Sequence, residues 1–168
     1  MADISMARGQ DDDVASVRDH FAVAVDRYEA IGHSGAAALR GKWAAWEAQR
    51  GEYERAQRAV EPALLVEPDD RNIRAGLHVC MLTATAGRGK WPLFERHLSA
   101  CMQLLPLVAN PSPLYAELVE VAGDLCIQRR QRERAVMAWK LAEDRWRLLG
   151  ETRRAARVAH RSQTLGAP

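Results

Sequence analysis

A chain of 168 residues with 48% hydrophobic and 27% charged side chains is long enough to bury one continuous core and has the balance of an ordinary soluble globular protein. No run approaches the ~20 apolar residues of a membrane span, and the opening MADISMARGQDDD has one arginine but no apolar leader stretch, so no membrane partner is expected and the default location is cytoplasmic. The net charge of +2 hides an asymmetry: from Arg129 to Arg161 eleven Lys or Arg stand against four acids, a local balance of +7 that leaves −5 for the remainder.

Few prolines and glycines interrupt a chain rich in Ala, Leu, Arg, Glu and Gln, so the expected fold class is all-α. Residues 1–11 lack periodicity and read as a disordered tail ahead of one helical domain over 12–165. Asp11, Asp12 and Asp13 then suit the positive end of a helix over 13–31, whose apolar stripe is Val17, Phe21, Val25 and Tyr28, and which Gly32 and Gly35 end. A helix over 36–50 follows, a turn at Gly51, and a helix over 53–66 that Pro62 should kink and Pro68 closes. The same grammar returns as a helix over 72–86, a turn at Gly87–Gly89, and a helix over 91–105 ending at Pro106. After the proline-broken loop at Asn110–Pro113, helices are expected over 114–129, 132–149 and 151–163, separated by a turn near Arg130–Gln131 and a break at Gly150.

Ala24, Ala63, Cys101 and Ala142 recur at steps of 39, 38 and 41 residues within similar amphipathic stretches. Self-similarity at this period marks helix pairs that bury their apolar faces only by stacking on their neighbours. Within residues 37–70, Trp43 and Ala44, Gly51, Tyr53, Ala56, Ala63 and Pro68 fill the positions of one tetratricopeptide repeat, which the segment resembles. A shift of 38 residues gives a second copy with Met81, Gly89, Trp91, Leu98, Cys101 and Pro106, degenerate at Leu82 and Phe94. The third, over 116–149, keeps Ala122–Gly123, Ala135, Trp139 and Ala142, but has Arg130 at the turn glycine and Arg147 at the proline. Residues 24–38 also align without gaps on 142–156. The resemblance therefore implies a right-handed α-solenoid of stacked antiparallel helix pairs, about three full pairs with a capping half-repeat at each end.

It also implies where ligands bind, because the first helix of each pair lines the concave groove in that family. Carried over by position, the stripe is Ala38, Gly41, Lys42, Ala45 and Gln49, then Gly76, Val79, Cys80, Thr83 and Ala86, then Glu117, Glu120, Val121, Asp124, Ile127 and Gln128. Gly41 and Ala45 stand where carboxylate-clamp members carry Lys and Asn, so a chaperone-tail clamp is not expected. Small apolar walls suit an amphipathic helix of a partner protein, and Glu117, Glu120 and Asp124 would favour a basic segment on it. The expected function is a non-catalytic adaptor, scaffold or regulatory module. Its groove walls would need covering by a two-fold dimer or by residues 151–163 of the same chain. The alternative is a nucleic-acid-associated regulator using the basic C-terminal third.

Catalytic and cofactor motifs are missing from the sequence. GRGK at 87–90 resembles the end of a phosphate loop, but Trp91 replaces the Mg²⁺-binding hydroxyl, and Ser34 lies in HSG rather than in a nucleophile elbow. His20, His33, His78, His97 and His160 lie on different expected elements without metal-ligand spacing, and Cys80, Cys101 and Cys126 read as reduced core thiols. No enzyme activity, metal or cofactor is expected.

Overall fold

The computed structural model describes the backbone of residues 2–166 and the side chains of residues 13–165. Among the described residues it is all-helical: α1 (Ala2–Ala30), α2 (Gly35–Gln49), α3 (Tyr53–Leu65), α4 (Arg71–Arg88), α5 (Trp91–Leu104), a 3-10 turn (Leu105–Leu107), α6 (Pro113–Gln128), α7 (Arg132–Leu148) and α8 (Thr152–Gly166). None of these helices is long and apolar enough to cross a membrane. The backbone of α1 takes in most of the segment read as a tail, and the side chains before Asp13 lie outside the described residues.

Successive helices pack as hairpins, α2 with α3, α4 with α5 and α6 with α7, while α3 also meets α4, and α2, α4 and α6 meet one another. Of the terminal helices, α1 packs on α2, and α8 packs mainly on α7. Small residues at the crossings let the helices approach: Ala56, Ala63, Ala135 and Ala142 are all buried. Trp139 and Trp146 join Phe94, Leu77, Leu82 and Leu118 in the core, whereas Trp43, Trp46 and Trp91 are half-buried. The thiols of Cys80, Cys101 and Cys126 are unpaired and buried, and burial pushes those of Cys80 and Cys126 up to about 12.

Five helix ends share one bond pattern. The chain leaves α1, α2, α4, α6 and α7 through Gly32, Gly51, Gly89, Arg130 and Gly150, with φ of 61, 79, 66, 60 and 74°. The next residue's N–H turns back to a carbonyl five positions earlier, as in Glu52→Glu47 at 2.9 Å, Lys90→Thr85 at 2.9 Å and Gln131→Cys126 at 2.8 Å. This is the Schellman stop, which satisfies carbonyls the helix leaves free. Arg130 adopts the left-handed conformation without being glycine, so the third turn keeps its geometry under strain. Replacing Arg130 with Gly is expected to raise stability by about 1 kcal/mol, read as the urea midpoint at unchanged slope.

Several local expectations change on the structure. Gly87 is not part of the turn but lies inside α4, where a Cβ would come within 2.2 Å of the Tyr53 ring. Its role is close approach. Of the α1 stripe only Val25 is buried; Phe21 is half-buried and stacks on Trp43 with centroids 6.0 Å apart, while Val17 and Tyr28 are exposed. A one-sided contact with α2 leaves the rest of that stripe in solvent.

Gly123 of α6 is a second close approach, since a Cβ there would sit 2.3 Å from Trp139 Cδ1 and 2.4 Å from Nε1. Trp139 is buried and donates to Asp124 at 3.0 Å, so its ring has little room to retreat. Gly123→Ala should therefore cost about 1–3 kcal/mol by overpacking, despite the roughly 1 kcal/mol a helical alanine gains. A net gain in a thermal melt would show that the two helices are not locked at this crossing.

Candidate functional site

The stripe read from the sequence divides into three parts. The first gathers around a crevice of about 280 Å³ between α2, α4 and the start of α6, where Ala38, Gly41, Lys42 and Ala45 meet Gly76, Cys80 and Tyr115. Small residues make this crevice. A Cβ on Gly76 would come within 2.2 Å of the Tyr115 hydroxyl, so the absent side chain is what lets the phenol lie against α4. Lys42 is exposed at the rim and Ala38 and Gly41 are half-buried, leaving a charged edge on a small apolar wall. Tyr115, which the repeat register did not select, supplies the aromatic face; burial raises its hydroxyl above the ordinary phenol range.

The second part is closed. Val79, Thr83 and Ala86 are fully buried, and the Thr83 hydroxyl lies 2.9 Å from Leu118 O of α6 and 3.1 Å from Val79 O. These residues hold α4 to α6 and offer no surface to a ligand. Gln49 and Gln128 are exposed at helix ends away from the crevice lining, and Val121 is exposed while Ile127 is half-buried.

The third part is the acidic row of α6, and its basic complement comes from the same chain. Arg154 Nη1 donates to Glu117 at 2.9 Å, Arg157 Nη2 to Glu120 at 3.0 Å, and Arg161 Nη1 to Asp124 at 2.9 Å and Glu120 at 3.3 Å. The acids are spaced three and then four residues apart, as are the arginines, so the two helices meet as matched ladders. Tryptophans close the row from α7: Trp146 Nε1 donates to Glu120 and Trp139 Nε1 to Asp124, each at 3.0 Å. Arg154 also lies 4.5 Å from the Trp146 ring centroid. Burial holds the Asp124 carboxyl above its usual range, a tendency that Arg161 and the Trp139 N–H oppose.

Much of the basic C-terminal third is thus occupied. Arg129 donates to Gly87 O, Arg134 reaches Glu95, Arg145 donates to Leu105 O at 2.6 Å and Arg147 reaches Glu143. On α8, Ala155, Val158 and Ser162 are buried, so the helix is held by an apolar face as well as by its arginines. A chain ending at Gly150 should melt at a clearly lower temperature, because Ala155 and Val158 leave the core and Glu120, 8% exposed, loses both guanidiniums. An unchanged melt would show that α8 is only loosely attached.

Sequence reasoning also missed a histidine pair. His78 of α4 and His97 of α5 sit on different elements, as expected, but their Nδ1 atoms are 2.9 Å apart. Burial lowers the basicity of both, with Arg96 adding to the effect on each, and His97 is pushed down to about 4. Only their offset of half a repeat could have signalled the contact. Among the described residues, no three His, Cys, Asp or Glu side chains converge as a metal ion would require. No family model, curated protein or solved structure matches the chain.

Proposed function

We propose that the chain is a tetratricopeptide-like α-solenoid and works as a non-catalytic docking module for a partner protein in the cytoplasm. The recurrent helix stop at Gly51, Gly89 and Arg130 and the small residues at the hairpin crossings support the solenoid reading. Three buried, unpaired thiols suit a reducing compartment. The docking reading rests on one observation, the small-walled crevice that Gly41, Ala45 and Gly76 leave open between α2, α4 and α6, with Tyr115 and Lys42 at its border. A crevice of about 280 Å³ takes one or two apolar side chains of a partner helix, with Lys42 placed for an acid on the same helix. The basic partner segment expected from Glu117, Glu120 and Asp124 drops out of this reading, since α8 already pairs with all three.

A photo-crosslinking side chain at Lys42, introduced in the native cell, tests the proposal. The expected result is a discrete protein adduct that disappears when Ala38→Arg fills the crevice and is not seen from a crosslinker at the exposed Glu54. An adduct of twice the chain mass would make the partner a second copy. Equal labelling from positions 42 and 54 would overturn the crevice as the docking surface. For the nucleic-acid alternative, the exposed cations of the C-terminal third without a partner among the described residues are Arg130, Arg132, Lys140 and Arg153. They give phosphate a much shorter track than the sequence count suggested.

A further inference from the structure

A second cavity, of about 530 Å³, opens between the end of α3, α4 and α5, away from the α2–α4–α6 crevice. Its size falls within the range of about 300–1,000 Å³ typical of small-molecule sites. Arg74 and His78 reach it from α4, and Arg96 and His97 from α5. Arg74 Nε is buried without a hydrogen-bond partner, and neither guanidinium has an ion-pair partner among the described residues. A buried donor left unsatisfied by the protein is costly and calls for an acceptor from outside. His97, 5% exposed, is a second polar group committed to the same cavity.

The histidine contact fixes what the pair can offer. One hydrogen lies between the two Nδ1 atoms, so one Nε2 of the neutral pair carries N–H and the other is bare. The cavity also has two acids. Glu61, engaged by Gln57 Nε2, and Glu67, in the exposed turn after α3, carry as much charge as the two guanidiniums but ion-pair with neither of them. The lining is therefore close to neutral overall, which admits a singly charged head more readily than a phosphate dianion. Leu64, Met81 and Leu104 line the apolar part, while Leu65, 86% exposed, and Leu93, 36% exposed, stand at the mouth. Such exposed leucines are the expected rim of a site for an apolar tail.

We propose that this cavity binds a small aliphatic monocarboxylate, its head accepting hydrogen bonds from Arg74 and Arg96 beside the His78–His97 pair and its tail lying along Leu64, Met81 and Leu104. The side-on guanidinium–carboxylate pair uses Nε and a neighbouring Nη together, and a small rotation of Arg74 would bring its enclosed Nε into that pair. This site is independent of the docking crevice, so either proposal can stand without the other.

The test uses the full chain and sodium decanoate at concentrations below its micelle point, with decanol, acetate and inorganic phosphate as comparison probes. Decanoate should displace the His78 and His97 imidazole resonances and give a saturable heat of binding. Decanol, which lacks the charge, and acetate, which lacks the tail, should each bind at least about ten-fold more weakly, as should phosphate. Arg74→Gln and Arg96→Gln should each weaken decanoate by about ten-fold or more, whereas Glu67→Gln should tighten it. Thermal melts show which variants remain folded, and either arginine variant suffices. No displacement of the two histidine resonances would overturn the proposal, and so would equal binding of decanol and decanoate or decanoate affinity unchanged in a folded arginine variant.

Discussion

Arg18→Ala is expected to remove about 3 kcal/mol of folding stability, well beyond the 0–1 kcal/mol of an ordinary surface ion pair. Its partner, Glu47 of α2, is 0% exposed. Arg18 Nε donates to Oε1 and Nη2 to Oε2, both at 2.9 Å, and the Trp43 indole N–H adds a third bond at 3.2 Å. Without Arg18 the carboxylate stays enclosed with one neutral donor, and the cost is that of a desolvated charge rather than of a lost contact. The Arg18 side chain is 21% exposed, so water can reach part of the vacated space and hold the loss near the low end for buried pairs. Glu47→Leu combined with Arg18→Leu should recover most of the deficit, because it removes both charges and keeps apolar volume under α1. Urea denaturation of the single and double variants separates these contributions. A loss below about 1 kcal/mol for Arg18→Ala would mean that the pair is solvated and that α1 is not anchored through it.

The helices were legible because their signals are local. A glycine at the left-handed stop and apolar residues at helical spacing leave little choice, which is why α2, α4 and α7 begin and end within a residue or two of the expected bounds. Gly87 misled for a physical reason: a glycine serving a turn and one serving a close helix approach look alike until the Tyr53 ring is placed against it. Arg130 shows the converse. Its position in the repeat, and not its residue type, marked the turn.

The candidate site was less legible because its decisive contacts join helices distant in sequence. Glu117, Glu120 and Asp124 read as an acidic face awaiting a basic segment, and residues 151–163 only as a possible cover for the groove walls. The spacing of three and then four residues that these acids share with Arg154, Arg157 and Arg161 was present in the sequence, but nothing local states that α8 brings its arginines to α6 while packing on α7. Burial of Val79 and Thr83 follows in the same way from how closely α6 approaches α4. A stripe carried over by register alone cannot separate a groove wall from a helix contact. Glu47 gave no sequence signal either, since its partner Arg18 lies 29 residues earlier, on a different helix.

Acidification should destabilise the protein in a window that the histidine pair sets. His97 is enclosed by α4 and α5, facing His78 and Arg74 from the first and Arg96 from the second, with Glu61 of α3 and Glu67 of the following turn across the cavity. Burial, then His78, then Arg96 disfavour its charged form and push it down to about 4. In the unfolded chain a histidine takes up its proton near pH 6.5, so below that value the unfolded state binds more protons than the folded one. Stability is therefore fully present above about pH 6.5 and is lost progressively as the pH falls toward 4, by about 3 kcal/mol from this group. His78, lowered in the same direction, adds to the loss. His97→Gln keeps a hydrogen-bonding partner for His78 but cannot charge, so its stability should decline less steeply over the same interval while the carboxylates titrate in both proteins. Urea midpoints at pH 7, 5.5 and 4.5 give the comparison. Parallel curves for wild type and variant would show that His97 takes up its proton freely in the folded protein, and that the cavity around it is open to water.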